Sequence, residues 1–173
     1  ETDELLRLAG EVSVIHPGRE MDMLITAGER KAMALVCMAL HHIGVDSESF
    51  TGSQAGFLTD TNHQNAKIVD VRPDRVRASL DAGRVPVLGG SQGVSTDNDV
   101  TFLGRGGSDT TTVAIAHALG ADACELYTDV TGVFTTDPRI VPTARRMPAI
   151  SFDELLEMTA TGCPKPAMRS VEY

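Results

Sequence analysis

Residues 100–120 read VTFLGRGGSDTTTVAIAHALG. A short apolar stretch of strand length runs into a glycine-rich turn. The turn opens a segment in which Val113, Ala116 and Leu119 recur at three-residue steps. That spacing puts three apolar side chains on one side of a helix, with Gly120 placed to stop it. Strand, glycine turn and helix in succession are the building unit of α/β folds. The turn also has the makings of an anion seat. Gly104, Gly106 and Gly107 let backbone N–H groups approach a ligand closely. The helix N-terminus behind them carries partial positive charge and free donors. Arg105 adds a planar fork suited to a carboxylate or a phosphate. Ser108 or Asp109 is expected to cap the helix. A carboxylate at 109 repels a polyphosphate and welcomes an ammonium. Arg105, Ser108 and Asp109 therefore suit an amino acid zwitterion better than a nucleotide. Taken alone, the stretch fits a capped glycine turn with no ligand equally well.

Working outward, VPVLG (85–89) is a continuous apolar run, the pattern of a strand buried on both faces in a parallel sheet. Upstream, short strands are expected at 45–50, 56–59 and 67–71. A helix is expected over 72–83, with Pro73 near its first turn and Gly83 past its end. Residues 2–9 read as the end of a helix, and 20–43 as mostly helical. Within the latter, Ala32, Leu35, Val36, Ala39, Leu40 and Ile43 form a stripe expected to be buried. TAGE (26–29) is expected to break this helix and Gly44 to end it. Downstream, ACELYTDV (123–130) is expected as a strand. SFDE (151–154) is a capping box opening a helix over 152–160. Helices alternating with apolar strands predict an α/β fold, a three-layer αβα sandwich with a mostly parallel central sheet. Ligands in such sheets bind beyond the carboxyl ends of strands. The loops at 89–93, 104–108 and 128–139 are the places to look.

The composition sets bounds on partners. The chain has 173 residues, 42% hydrophobic and 23% charged, the ordinary mixture of one soluble domain. Its net charge of −9 disfavours nucleic acid, whose binding is mostly electrostatic. No apolar run approaches the roughly 20 residues of a membrane span, and no signal peptide is visible. Cys37, Cys124 and Cys163 are widely spaced, as suits free thiols in a reducing cytoplasm. No metal-ligand spacing is present, and His41 and His42, adjacent on a helix, point in different directions.

Two further stretches carry chemistry. YTDVTGVFTTDPR (127–139) follows the expected strand and holds Asp129, Asp137, Gly132 and Arg139. Hydroxyls, carboxylates and an arginine after a strand suit a nucleoside triphosphate and its Mg2+, although a polar turn has the same make-up. TAGER (26–30) places Glu29 at a helix start, where a glutamate ordinarily complements the helix dipole.

Together, TFLGRGGSDTT, ADACELYTDVTGVFTTDPRIVPTARR and EMDMLITAGER resemble the catalytic domain of aspartate kinases, in the amino acid kinase superfamily. SFTGSQAG, NAKIVDV and MRSVEY fit the same pattern, so the resemblance spans residues 1–173. It implies an enzyme that moves the γ-phosphoryl of ATP, with Mg2+, to the side-chain carboxylate of L-aspartate. It implies that Arg105 grips a carboxylate of aspartate, that Gly107, Ser108 and Asp109 complete the pocket, and that Glu29 takes the ammonium. It also implies that Thr128, Asp129, Arg139 and Lys165 serve the nucleotide, with Asp137 a further candidate, and that Arg105 and Asp129 are the catalytic pair. A homo-oligomer in the full-length protein is implied as well.

The sequence departs from that pattern in places. The family begins with a strand and a Lys-aromatic-Gly-Gly-Ser/Thr loop, a motif these 173 residues lack. The chain starts at Glu1 rather than Met and stops at Tyr173, without the C-terminal ACT domains. It therefore reads as a fragment with an incomplete sheet and little activity alone. GCPKPAMR (162–169) has Pro164 where the family has a nucleotide-contacting lysine, and Lys165 next to it as the substitute. Ser91 stands where an aromatic is common. A non-catalytic binding or regulatory protein derived from the same fold remains the alternative.

Overall fold

A computed structural model describes residues 2–128, 130–163 and 166–172. Helices α1 (Thr2–Val12) and α2 (Gly18–His42) come first, then strands β1 (Ser47–Phe50), β2 (Phe57–Thr59) and β3 (Ile68–Val71). Helix α3 (Asp74–Asp81) leads into β4 (Val85–Leu88), β5 (Gln92–Ser95) and β6 (Val100–Phe102). Helices α4 (Gly107–Leu119), α5 (Phe152–Ala160) and α6 (Met168–Glu172) complete the described elements. The α/β class expected from the alternation is the one observed.

Among the described residues the strands form two sheets. β1 pairs parallel with β4, and a second sheet has the order β3-β2-β5-β6. In the latter β2 runs parallel to β5, while β3 and β6 pair antiparallel at its two edges. β5 carries no apolar alternation and was not legible as a strand. Its place comes from backbone pairing on both sides and from Gly93, where a Cβ would fall 2.6 Å from Thr59 Cγ2. The core gathers Phe50, Ala55, Phe57, Val76 and Ala114, with Ile68, Leu88, Ile115 and Leu119 packed against them. In the loop between β1 and β2 the Gly52 N–H donates to Gln92 Oε1 at 3.4 Å, which sets this loop beside the start of β5.

Several local expectations are corrected. α2 runs unbroken through residues 26–29. Thr26 is fully buried and its hydroxyl donates to the Asp22 carbonyl at 2.7 Å, so it joins the helix rather than interrupting it. A single helical glycine costs about 1 kcal/mol relative to alanine, and α2 buries Ile25 and Thr26 before Gly28 and Met33 and Cys37 after it. The buried face of α2 is Met21, Asp22, Ile25, Thr26, Met33 and Cys37. The stripe expected inside faces out: Leu35 is 57% exposed and Ile43 71%. β4 is paired on one side only, and Val85 is exposed rather than buried between helical layers. Residues 123–128 are exposed and not a strand. A strand needs a neighbour to receive its N–H and C=O groups, and these residues have no ladder partner among the described residues.

The punctuation was read more faithfully. Gly44, Gly83 and Gly120 follow α2, α3 and α4 with left-handed backbones. The capping box stands as read: the Glu154 N–H donates to Ser151 Oγ, and Glu154 Oε2 accepts from the Ser151 N–H at 3.0 Å.

Candidate active site

β6 delivers the chain to the 104–109 turn, and α4 leaves from it. Gly104 (φ 88°) and Gly106 (φ 75°) both adopt left-handed backbones, which reverse the chain within three residues. The Leu103 N–H donates to the Ser91 carbonyl at 2.8 Å, tying the turn to the loop that follows β4. Gly107 is buried, and a Cβ there would stand 2.8 Å from Leu103 Cβ and 2.9 Å from Ser91 Oγ. Glycine at 107 is thus what lets α4 start against this loop.

The expected cap is not observed. The N-cap of α4 is Gly106, and among the described residues no side chain accepts a capping bond from the first N–H groups of the helix. Ser108 is committed elsewhere, with its Oγ 3.0 Å from Ser91 Oγ. Asp109 is also committed: its Oδ2 accepts the Ala167 N–H at 3.1 Å. An N-terminus without a side-chain cap leaves donors and the positive end of the helix dipole for an anion. Arg105 projects from the middle of the turn with its side chain 90% exposed. Its one ionic neighbour among the described residues is Asp3, equally exposed, at 3.7 Å. Such a long surface pair is weak, so the guanidinium remains open to a ligand carboxylate.

Ser91 supports the other wall. Its backbone is left-handed (φ 58°), an uncommon state for a residue with a Cβ. Its N–H donates to Thr111 Oγ1 at 3.0 Å, and that hydroxyl donates to the Gly107 carbonyl at 2.9 Å. One polar chain therefore joins the loop after β4 to the first turn of α4. The Thr111 hydroxyl was not singled out in the sequence, where TTT carries no marker of its own. Glu29, half-buried on α2, lies one turn before Met33 and on the same side. Met33 Sδ would be 3.2 Å from a Cβ at Gly89, so this side of α2 faces the same loop. Nearby, Gln92 Nε2 is buried without a hydrogen-bond partner among the described residues, close to Gly89. A buried donor left unmet is costly, so the floor of this loop holds unused hydrogen-bonding capacity.

The structure brings Arg105, Gly107, Ser108 and Asp109 together on one turn. The nucleotide candidates are placed less fully. Asp129 and Lys165, with Pro164, lie outside the described residues, and Thr128 is exposed. Arg139 forks onto Asp137, with Nη2 2.7 Å from Oδ2 and Nε 3.1 Å from Oδ1. These bonds hold the Asp137 carboxyl below the usual carboxylate range and raise Arg139. The same segment is pinned by Thr135 and Arg145, whose backbones pair at 2.9 Å.

Comparison with known proteins bears on this geometry. The profile of the Amino acid kinase family matches residues 1–169. The chain is 58% identical over 173 residues to an aspartokinase of Corynebacterium efficiens and 59% identical to one of Mycolicibacterium smegmatis. In each case 99% of this chain is covered, and it spans 41% of the relative's length. Among solved structures, Escherichia coli aspartokinase III in complex with aspartate and ADP superimposes with a TM-score of 0.83 at 28% identity. That match covers 98% of this chain and 38% of the other. With the profile running from the first helix into the last, and a strand–turn–helix seat of this geometry at its centre, the chain belongs to the amino acid kinase family.

Proposed function

We propose that this chain is the catalytic-domain portion of an ATP-dependent aspartate kinase. The reaction is transfer of the γ-phosphoryl of ATP to the side-chain carboxylate of L-aspartate, giving 4-phospho-L-aspartate, the first step toward lysine, threonine and methionine. The observation that carries it is the exposed Arg105 fork on a turn whose helix lacks a side-chain cap. The relatives' names as aspartokinases support the same reading. In it Arg105 binds a carboxylate of aspartate, Gly107 and Ser108 shape the pocket, and Asp109 and Glu29 receive the ammonium. Thr128, Asp129, Arg139 and Lys165 serve the nucleotide.

The chemistry asks little of a base. A carboxylate with a pKa near 3.9 is already ionised at neutral pH. The protein has to hold two anions in line and offset their charge. Arg105 and the α4 N-terminus do this for the amino acid. ATP is taken as its Mg2+ complex, in which the ion is met by phosphate oxygens and one or two carboxylates. A cytoplasmic homo-oligomer belongs to the same proposal, supported by the exposed apolar stripe on α2.

Hydroxamate trapping with MgATP tests it in the full-length form, with aspartate and its deaminated analogue succinate as acceptors. Aspartate is expected to be turned over and succinate rejected by at least 100-fold. Absence of hydroxamate from aspartate would favour a non-catalytic protein of the same fold, and a preference for succinate would remove the ammonium roles of Glu29 and Asp109.

A further inference from the structure

The Arg105 turn is held by the segment that leads into α6. Arg169, on α6, donates from Nη1 to the Leu103 carbonyl at 3.0 Å and more distantly to the Ala66 carbonyl at 3.5 Å. Its Nη2 donates to Asn65 Oδ1 at 2.7 Å. Leu103 is the residue before Gly104, and Asn65 Oδ1 lies 3.0 Å from where a Cβ on Gly104 would stand. A single guanidinium thus bridges two chain segments where they converge on the start of the turn. The other end of the turn meets Ala167. Its N–H donates to Asp109 Oδ2, and its Cβ would be 2.6 Å from a Cβ at Gly106. The buried Ser170 hydroxyl closes the segment on itself, donating to the Ala167 carbonyl at 2.6 Å. The Asn65 loop is anchored in turn. Fully buried Asp22 on α2 takes the Gln64 N–H at 2.9 Å and lies 2.7 Å from His63 Nδ1.

We propose that Arg169 is a positioning residue for amino acid binding: with Asn65 and Ala167 it clamps the 104–109 turn and so sets the direction of Arg105. The proposal rests on the aspartate kinase reading for its kinetic effect and on the hydrogen bonds alone for its structural one. Only a planar fork reaches Leu103 and Asn65 together. A mispointed Arg105 weakens a contact made before and during reaction alike, so KM for aspartate rises and kcat changes little.

The test uses the full-length protein with Arg169→Met, Asn65→Leu and Asn65→Asp, the last keeping the Oδ1 acceptor. Arg169→Met and Asn65→Leu are expected to raise the aspartate KM at least tenfold and to leave the ATP KM within twofold. Asn65→Asp stays near wild type, and the Arg169→Met/Asn65→Leu pair is no worse than Arg169→Met alone. Amide exchange at 104–108 is read in the same proteins and is expected to speed at least tenfold in Arg169→Met and Asn65→Leu only. If Arg169→Met does not fold, the two Asn65 variants decide. An unchanged aspartate KM in an active enzyme overturns the clamp, as does equal behaviour of Asn65→Leu and Asn65→Asp. If the wild type makes no hydroxamate, the kinase reading fails, and the exchange rates alone uphold or refute the clamp.

Discussion

At the scale of single residues, the site is governed by what its glycines allow. Gly106 combines a left-handed backbone with contact against Ala167, where a Cβ would be 2.6 Å away. Gly106→Ala is expected to cost about 1–2 kcal/mol for the backbone alone, more where the contact does not relax. A urea titration checks this, and an unchanged midpoint would count against the packing described. The glycine turn and the helix it opens were legible from the residue types, but the partners of Ser108 and Asp109 were not. Ser108 and Asp109 looked like helix caps because serine and aspartate usually are. Ser91 and Ala167 claim them instead, from positions 17 and 58 residues away in the chain. Local spacing carries no information about partners so distant. Arg169 was invisible for the same reason, since it acts on carbonyls that every residue possesses.

At the scale of elements, periodicity identified helices well and their orientation poorly. α2 carries two apolar stripes one step apart. The one beginning at Ala32 has the cleaner three- and four-residue rhythm, yet the sheet lies under Met21, Ile25, Met33 and Cys37. A stripe says that a face can be buried, not what lies beneath it. Signals that act within four residues were reliable. The α5 capping box is the clearest, because both partners are in the motif. Ser151→Ala is expected to cost about 1 kcal/mol. The bonds from Ser151, its backbone N–H first and its hydroxyl second, hold the Glu154 carboxyl below 4.5. A depressed folded pKa stabilises above the unfolded value and loses that contribution as pH falls through the folded one. Ser151→Ala removes the hydroxyl and keeps the backbone N–H, so the Glu154 midpoint should rise only part of the way to the ordinary glutamate value. NMR titration of the side chain reads it, and a midpoint that stays put would argue against the capping box.

At the scale of the whole molecule, two features belong together. Among the described residues β4 has a strand on one side only, and residues 123–127, strand-like in sequence, lie exposed outside both sheets. Strand propensity was legible there; pairing was not, because it depends on the neighbours a chain supplies. In the 173-residue chain alone, amide exchange at 123–127 is expected to be fast, while β2 and β5 are protected. Slow exchange at 123–127 would show a strand where none is described. Kinase turnover by this chain alone is expected to be negligible, since residues 123–127, which lead into the segment assigned to the nucleotide, lie exposed outside the described sheets. The central claim is that the 104–109 turn seats the amino acid through Arg105. Its most direct test is kcat/KM for aspartate, by hydroxamate trapping, in the full-length protein and its Arg105→Ala variant. A loss of at least 100-fold with the fold intact is predicted; activity within threefold of wild type would contradict it.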